Sequence, residues 1–275
     1  TGGSVRVPAA WNGLVGLKTS FGLLPLDGVL ALSTSMDTVG PLTRDVADAA
    51  AIFTALAGRY GEGNSHAPDL AGGDPSRLHL ALPSNLVWQD LDPGVERAAH
   101  GAIAKLEAAG VTLGEAEIPQ FGEIEELIGH FGPFHAAECH AMWHEYIEAR
   151  PNLVYRPILE RIRLGGKMLA NTVEGAKQAL RKVSPAFHAR IREVGVLAMP
   201  TVAVSPPPIA ELEHDLDAWM AANIMSLRNT RLGNFLDCSA ITLPCGRDDN
   251  GIPVGLMLMA PPGWEERLLR MAATM

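Results

Sequence analysis

Aromatic side chains are scarce, at 5% of the 275 residues, and cysteine is scarcer. Cys139, Cys238 and Cys245 are an odd number, far apart, with no C-x-x-C pair. That excludes a disulfide framework and favours a reducing compartment. No apolar run approaches the roughly 18 residues that a membrane span needs. A basic segment followed by an apolar one is also missing, so no signal peptide is visible and a cytoplasmic setting is expected. Cationic charge is in deficit, with 22 Lys and Arg against 31 Asp and Glu and a formal net charge of −9. This argues against direct binding of nucleic acid, which needs clustered basic side chains. The patterns G-x-G-x-x-G, P-loop and H-E-x-x-H do not occur, so no organic cofactor is implied. Nor does G-x-S-x-G, the usual setting of a Ser–His–Asp nucleophile.

What is present is an ample core, since 47% of the residues are hydrophobic. Gly (28) and Pro (20) demand many turns. Residues 1–43 are interrupted by Gly or Pro every few positions, leaving room for a short helix near Val7–Asn12 and a strand near Gly13–Leu17. A loop-dense stretch in an otherwise regular chain is a site candidate. Apolar residues at helical spacing predict a helix over Arg44–Leu56, stopped by Gly58. Residues 60–77 read as an exposed loop. LHLALP (78–83) reads as a buried strand, Asp92–Ala109 as an amphipathic helix and Val111–Ile118 as a strand. That β–α–β alternation is the mark of an α/β sheet protein.

Residues 121–194 read as mostly helical, broken near Gly132-Pro133, Pro151-Asn152 and Gly165-Gly166. VGVLAMPT (194–201) reads as a strand and Glu211–Arg228 as a helix. SAITLPCG and PVGLMLMA are two strands separated by the turn RDDNGI, with a hairpin as the simplest joining. Trp264–Met275 closes as a helix. With no repeat and no linker, a single domain is predicted. It has a core over 1–58, a variable, mostly helical middle over 59–210, and closing strands and helix over 211–275.

The chemistry concentrates in TGGSVR. Glycines let the backbone approach a substrate and turn its N–H groups toward one point, where they can stabilise an oxyanion. Ser4 adds a hydroxyl at the same place. Taken alone, Gly-Gly-Ser is weak evidence and reads first as a plain turn. Longer segments add to it: TGGSVRVPAAWNGLVGLKTSFG, SMDTVGPLTRDVADAA and the closing GNFLDCSAITLPCGRDDNGIPVGLMLMA. Together they resemble the amidase signature family, over residues 1–58 and 231–275. The middle matches only in the order of its elements.

The resemblance implies an α/β fold, with a mixed central sheet and helices on both faces. It implies hydrolysis of a linear carboxylic amide to acid and ammonia or amine, through a serine acyl-enzyme. Ser4 maps to the nucleophile, and the backbone N–H groups of Thr1, Gly2, Gly3 and Ser4 map to the oxyanion hole. The family's base is a lysine, linked to the nucleophile by a bridging serine with a cis peptide. Both lie upstream of the position where this sequence begins. The chain is therefore expected to be a domain whose N-terminal portion is missing, and the 275 residues alone are expected to be inactive and poorly folded.

Other residues receive supporting roles. Arg6 is expected to hold the nucleophile loop by hydrogen bonds to backbone or carboxylate. Asp37 and Arg44 are expected to brace it from the GPLT turn. Lys18 reads as a structural ion pair or a surface residue rather than a base. In relatives, the helices after the nucleophile block line the acyl pocket, which makes Phe131, Phe134 and His135 candidates for substrate contact. Asp237 stands where glycine is common in the family and Met257 where glutamine is common, changes expected to reshape the pocket floor. His140 and His144, four apart on one helix face, have a spacing that can hold a metal. No partner set accompanies them, so a polar helix face or pocket wall is preferred and no metal is assigned. Cys238 and Cys245 have no local base and read as structural thiols.

Three functions stay open: an amide hydrolase, the glutaminase subunit of a tRNA-dependent amidotransferase, and a truncated protein that only binds. The expected partners are a small amide substrate and either a second copy, as a homodimer, or a partner protein of the amidotransferase.

Overall fold

The computed structural model describes residues 1–58, 68–71 and 73–275. Half of the loop expected over 60–77 lies outside the described residues. At its end, the Asp74 side chain accepts from the Ser76 N–H and opens a single turn over Pro75–Arg77. Among the described residues, seven strands form one sheet: β1 (Val15–Lys18), β2 (Leu42–Thr43), β3 (His79–Pro83), β4 (Thr112–Ala116), β5 (Val196–Pro200), β6 (Ser239–Arg247) and β7 (Pro253–Ala260). Their spatial order is β2-β1-β6-β7-β5-β3-β4. β3 pairs in parallel with β4 and β5, and every other pairing is antiparallel, so the sheet is mixed.

The centre of this sheet is made by the two runs that do not alternate in polarity. All five residues of β5 are buried, as are seven of the eight in β7. Such strands must be covered on both faces, and members of the ten helices found among the described residues do this. The ten are α1 (Arg6–Asn12), α2 (Val46–Gly58), α3 (Pro93–Ala108), α4 (Pro119–Phe131), α5 (Phe134–Ala149), α6 (Arg156–Gly165), α7 (Ala170–Val194), α8 (Ile209–Leu212), α9 (Leu216–Phe235) and α10 (Glu265–Thr274). Leu197, Met199, Met257 and Met259 face a core built with Phe121, Phe134, Phe187 and Phe235 of α4, α5, α7 and α9. Val196, Ala198, Leu256 and Leu258 face the opposite core, with Phe53, Ile103 and Leu268 of α2, α3 and α10. The period of two along each strand sends alternate side chains to opposite cores.

Several boundaries differ from the sequence-based expectation. β2 was not expected: two residues carry no periodicity, and only pairing with β1 defines it. The helix expected over Glu211–Arg228 begins at Leu216, where the Asp215 carboxylate accepts from the Ala218 N–H. It continues to Phe235, so the GNF triplet is helical. β6 and β7 do form a hairpin, closed by the Asp248 side chain accepting from the Asn250 and Ile252 N–H groups. Pro244 still faces Gly255, and a bulge between Pro244 and Gly246 leaves Cys245 as the extra residue. Among the described residues, no helix is long and apolar enough to cross a membrane.

Candidate functional site

The Ser4 segment enters α1 at the N-terminal end of that helix. Gly3 has φ +151°, a region that favours glycine, and a Cβ there would lie 2.8 Å from the Cβ of Thr230 on α9. The Thr230 hydroxyl donates to the Gly2 carbonyl at 2.9 Å. The Gly3 carbonyl accepts from the Val7 N–H at 2.9 Å. Both glycine carbonyls are thus engaged. The N–H groups of Gly2, Gly3 and Ser4 donate to no described residue, and Ser4 itself is exposed.

Arg6 anchors this segment from below. It is 1% exposed, and its guanidinium donates to the Thr230 carbonyl at 2.9 Å and to the Asn234 side-chain oxygen. A third contact reaches the Met257 sulfur at 3.1 Å. No carboxylate is among these partners, and burial pulls its pKa down to about 9. Asp37 is buried as well. One carboxylate oxygen accepts from the Thr1 hydroxyl, and the other from the N–H groups of Leu32 and Ser33 at 2.7 and 2.8 Å. Arg44, its expected companion, is exposed and makes no hydrogen bond or ion pair among the described residues.

Lys18 departs from both of its expected places. It is not on the surface, and it forms no ion pair among the described residues. At 3% exposure it lies in β1, donating to the carbonyls of Thr19 (2.8 Å) and Cys238 (2.7 Å). Burial, followed by the Arg6 charge, lowers its pKa to about 8. It shares with Ser4, Thr1 and Thr38 the wall of a recess of only about 10 Å³.

A much larger cavity, about 460 Å³, begins at Gly2 and runs between α4, α5, α6 and α9. One wall is apolar, formed by Ile128, Leu164, Met220, Ile224 and Leu227. The polar wall carries Glu125, His135, Arg161, Asn223 and Arg231. Arg231 holds Glu125 in a two-pronged pair. Arg161 donates to the Asn223 side-chain oxygen at 3.0 Å and meets no carboxylate among the described residues. Burial lowers its pKa from the usual arginine value. His135 leaves its Nδ1 buried without a partner among the described residues. Burial first, then the nearby Arg161 charge, lowers its pKa to about 4, so the ring is neutral at physiological pH.

Of the three aromatic and imidazole candidates for substrate contact, this cavity takes in His135 alone. Phe134 points the other way, 1% exposed in the core against Phe235. Phe131 packs on the same core and on Gly175. Asp237 has φ +48°, the left-handed conformation that glycine supplies elsewhere and that Asp tolerates, and its carboxylate accepts from the Phe21 N–H at 2.7 Å. Met257 is buried beneath Arg6. Neither lines the cavity. Cys238 is buried and Cys245 half-buried, with burial pushing each thiol up to about 12. The His140 and His144 rings stack at 4.9 Å, and no metal-binding cluster occurs among the described residues.

Arg161, Asn223, Arg231 and Glu125 carry no motif in the sequence. They lie on three helices separated by long stretches of chain, and only packing brings them together. The one available signal was that helices following the Ser4 block line a pocket.

The mixed sheet, its two helical layers and the glycine–serine segment define an α/β protein of the amidase signature fold. A family model, Amidase, matches residues 1–269, and the chain belongs to that family. It is 34% identical over 275 residues to a 2-amino-5-chloromuconic acid deaminase of Comamonas testosteroni, covering 99% of this chain and 58% of that protein. It is 30% identical over 300 residues to a subunit of the glutamyl-tRNA(Gln) amidotransferase of Symbiobacterium thermophilum, covering 99% and 60%. A crystal structure of an amidase superposes with a TM-score of 0.83 at 25% identity, covering 100% of this chain and 60% of that one. The chain thus spans about three fifths of the length of these relatives.

Proposed function

We propose that the protein hydrolyses the C–N bond of a small carboxylic amide through an acyl-enzyme on Ser4, and that the substrate bears a carboxylate seated on Arg161. One observation carries the reading: the cavity that begins beside the Ser4 segment holds a half-buried arginine with no anionic partner among the described residues. A desolvated guanidinium is stabilised most by a carboxylate, whose two oxygens match its fork. The neighbouring His135, being neutral, can exchange one further hydrogen bond with the substrate without adding charge.

In this reading the Ser4 oxygen attacks the amide carbon. The unengaged N–H groups of Gly2, Gly3 and Ser4 receive the charge that develops on the carbonyl oxygen. The Ser4 proton leaves to the base, which the family resemblance places ahead of Thr1, and returns to the departing nitrogen as the C–N bond breaks. Water then cleaves the serine ester to release the acid. A serine hydroxyl needs such a base because it is a weak nucleophile. The similarity to a deaminase that acts on an amino muconic acid supports both the carboxylate and the release of ammonia.

A second reading is a glutamine-hydrolysing subunit, favoured by the amidotransferase relatives. Glutamine also brings an α-ammonium group, which calls for a free carboxylate in the pocket. Glu125, the carboxylate of the cavity wall, is already held by Arg231, so the first reading fits better.

The test uses the natural full-length protein. A fluorophosphonate probe should add once, at Ser4, by intact mass and peptide mapping, and Ser4→Ala should lose the adduct and lower kcat/KM by about 10⁴-fold or more. An adduct at another serine, or full activity in Ser4→Ala, would sink the proposal. Turnover of glutamine with co-purification of a second protein would establish the second reading instead.

A further inference from the structure

We propose that Glu138 is a positioning residue for the Ser4 segment, acting through the loop of residues 31–37. The inference rests on Ser4 as the nucleophile and adds a residue that neither the motifs nor the cavity reveal. Glu138 lies on α5, one turn after His135, with its side chain 9% exposed. It is not solvated like a surface carboxylate. One oxygen pairs with Lys177 of α7 and accepts from the Ser35 hydroxyl at 2.8 Å, while the other accepts from the Ser33 hydroxyl. Burial alone would raise its pKa. The hydrogen bonds from Lys177, Ser33 and Ser35 outweigh that and hold the carboxyl below its usual range. A second tie from the same helix reaches the loop: the Trp143 indole donates to the Ala31 carbonyl at 2.6 Å.

The loop passes this anchoring on. The backbone N–H groups of Leu32 and Ser33 fix one oxygen of Asp37, and its other oxygen takes the Thr1 hydroxyl. A continuous run of charged and hydrogen-bonded groups therefore joins Lys177 and Glu138 to Thr1, the residue that leads into Gly2, Gly3 and Ser4. The same α5 presents His135 to the cavity. One rigid helix thus sets both the cavity wall and the backbone where the oxyanion would lie. A small displacement of that backbone would be costly, since misplacing reacting groups by about 1 Å can lower a rate about 100-fold.

Two readouts in the full-length protein test this. In Glu138→Ala, amide hydrogen exchange should speed up in peptides covering 31–37 and also 1–7, while the strands of the sheet keep their protection. Fluorophosphonate labelling of Ser4 should slow by ~10- to 100-fold in its maximal rate with the half-saturating probe concentration unchanged. Glu138→Gln, which keeps an acceptor for the serines, should recover part of both. The double variant Ser33→Ala, Ser35→Ala removes the same contacts without burying an unpaired charge, and it should behave alike should Glu138→Ala fail to fold. Unchanged exchange in residues 1–7 in these variants would overturn the proposal. Exchange needs no catalysis, so a wild-type protein that never labels at Ser4 would refute the nucleophile and leave this arm decisive for the coupling.

Discussion

The neutral His135 makes a prediction that can be worked through to a number. Its folded pKa is about 4 against an ordinary 6.5, with burial the first cause, Arg161 and Arg231 adding to it and Glu138 opposing. Between those two values the unfolded chain takes up a proton that folded His135 refuses. Stability from this group is therefore complete above pH 6.5 and is lost as pH falls toward 4. At about 1.4 kcal/mol per pH unit, the whole gap corresponds to about 3 kcal/mol. Roughly 2.5 kcal/mol of it should be gone by pH 4.5. The assay is urea unfolding of wild type and His135→Gln at pH 7.5 and pH 4.5. Glutamine does not titrate, so carboxylates common to both proteins cancel in the comparison. Wild type should lose about 2 to 3 kcal/mol more than the variant. Equal losses, or an imidazole NMR titration centred near 6.5, would refute a buried and uncharged ring.

Other consequences are as specific. Arg161→Met should raise KM for amides carrying a carboxylate by roughly 10- to 100-fold, the worth of a hydrogen-bonded charge. Neutral amides should be turned over with little change, and loss of both activities together would mean that Arg161 only supports the fold. Gly3→Ala forces a Cβ against Thr230 into a conformation that glycine tolerates best. It should cost about 1 to 3 kcal/mol in chemical denaturation, and a stability within error of wild type would show that the segment can rearrange freely.

Periodicity makes most of the architecture legible in the sequence. The helices of 93–108 and 265–274 and the buried strands of 196–200 and 253–260 arise from local patterns of apolar side chains. An all-buried strand implies cover on both faces, and two opposed cores are found. The helical middle breaks where Gly and Pro predict, at 132–133, 151–152 and 165–166, because those residues act on their own backbone. Two-residue β2 is not legible, since a bridge that short exists only through its partner.

The sequence by itself determined where the Ser4 segment lies, because a glycine pair before a serine is a local pattern, whereas the need for glycine at position 3 comes from its packing against Thr230 of α9. It also determined that Arg6 serves the scaffold through hydrogen bonds, though not that its partners would be the end of α9 and Met257 rather than a carboxylate. Only the tertiary structure decided that Lys18 is buried, that Arg44 is left in solvent and that Phe134 faces the core while His135 faces the cavity. One position along a helix turns a side chain by about 100°, so which neighbour meets a substrate depends on what packs behind it. The cavity's Arg161, on α6, and Glu138, on α5 and bonded to the loop of residues 31–37, lie far along the chain from the Ser4 segment that they approach. Their meeting is a property of the packed core, and no local pattern encodes it.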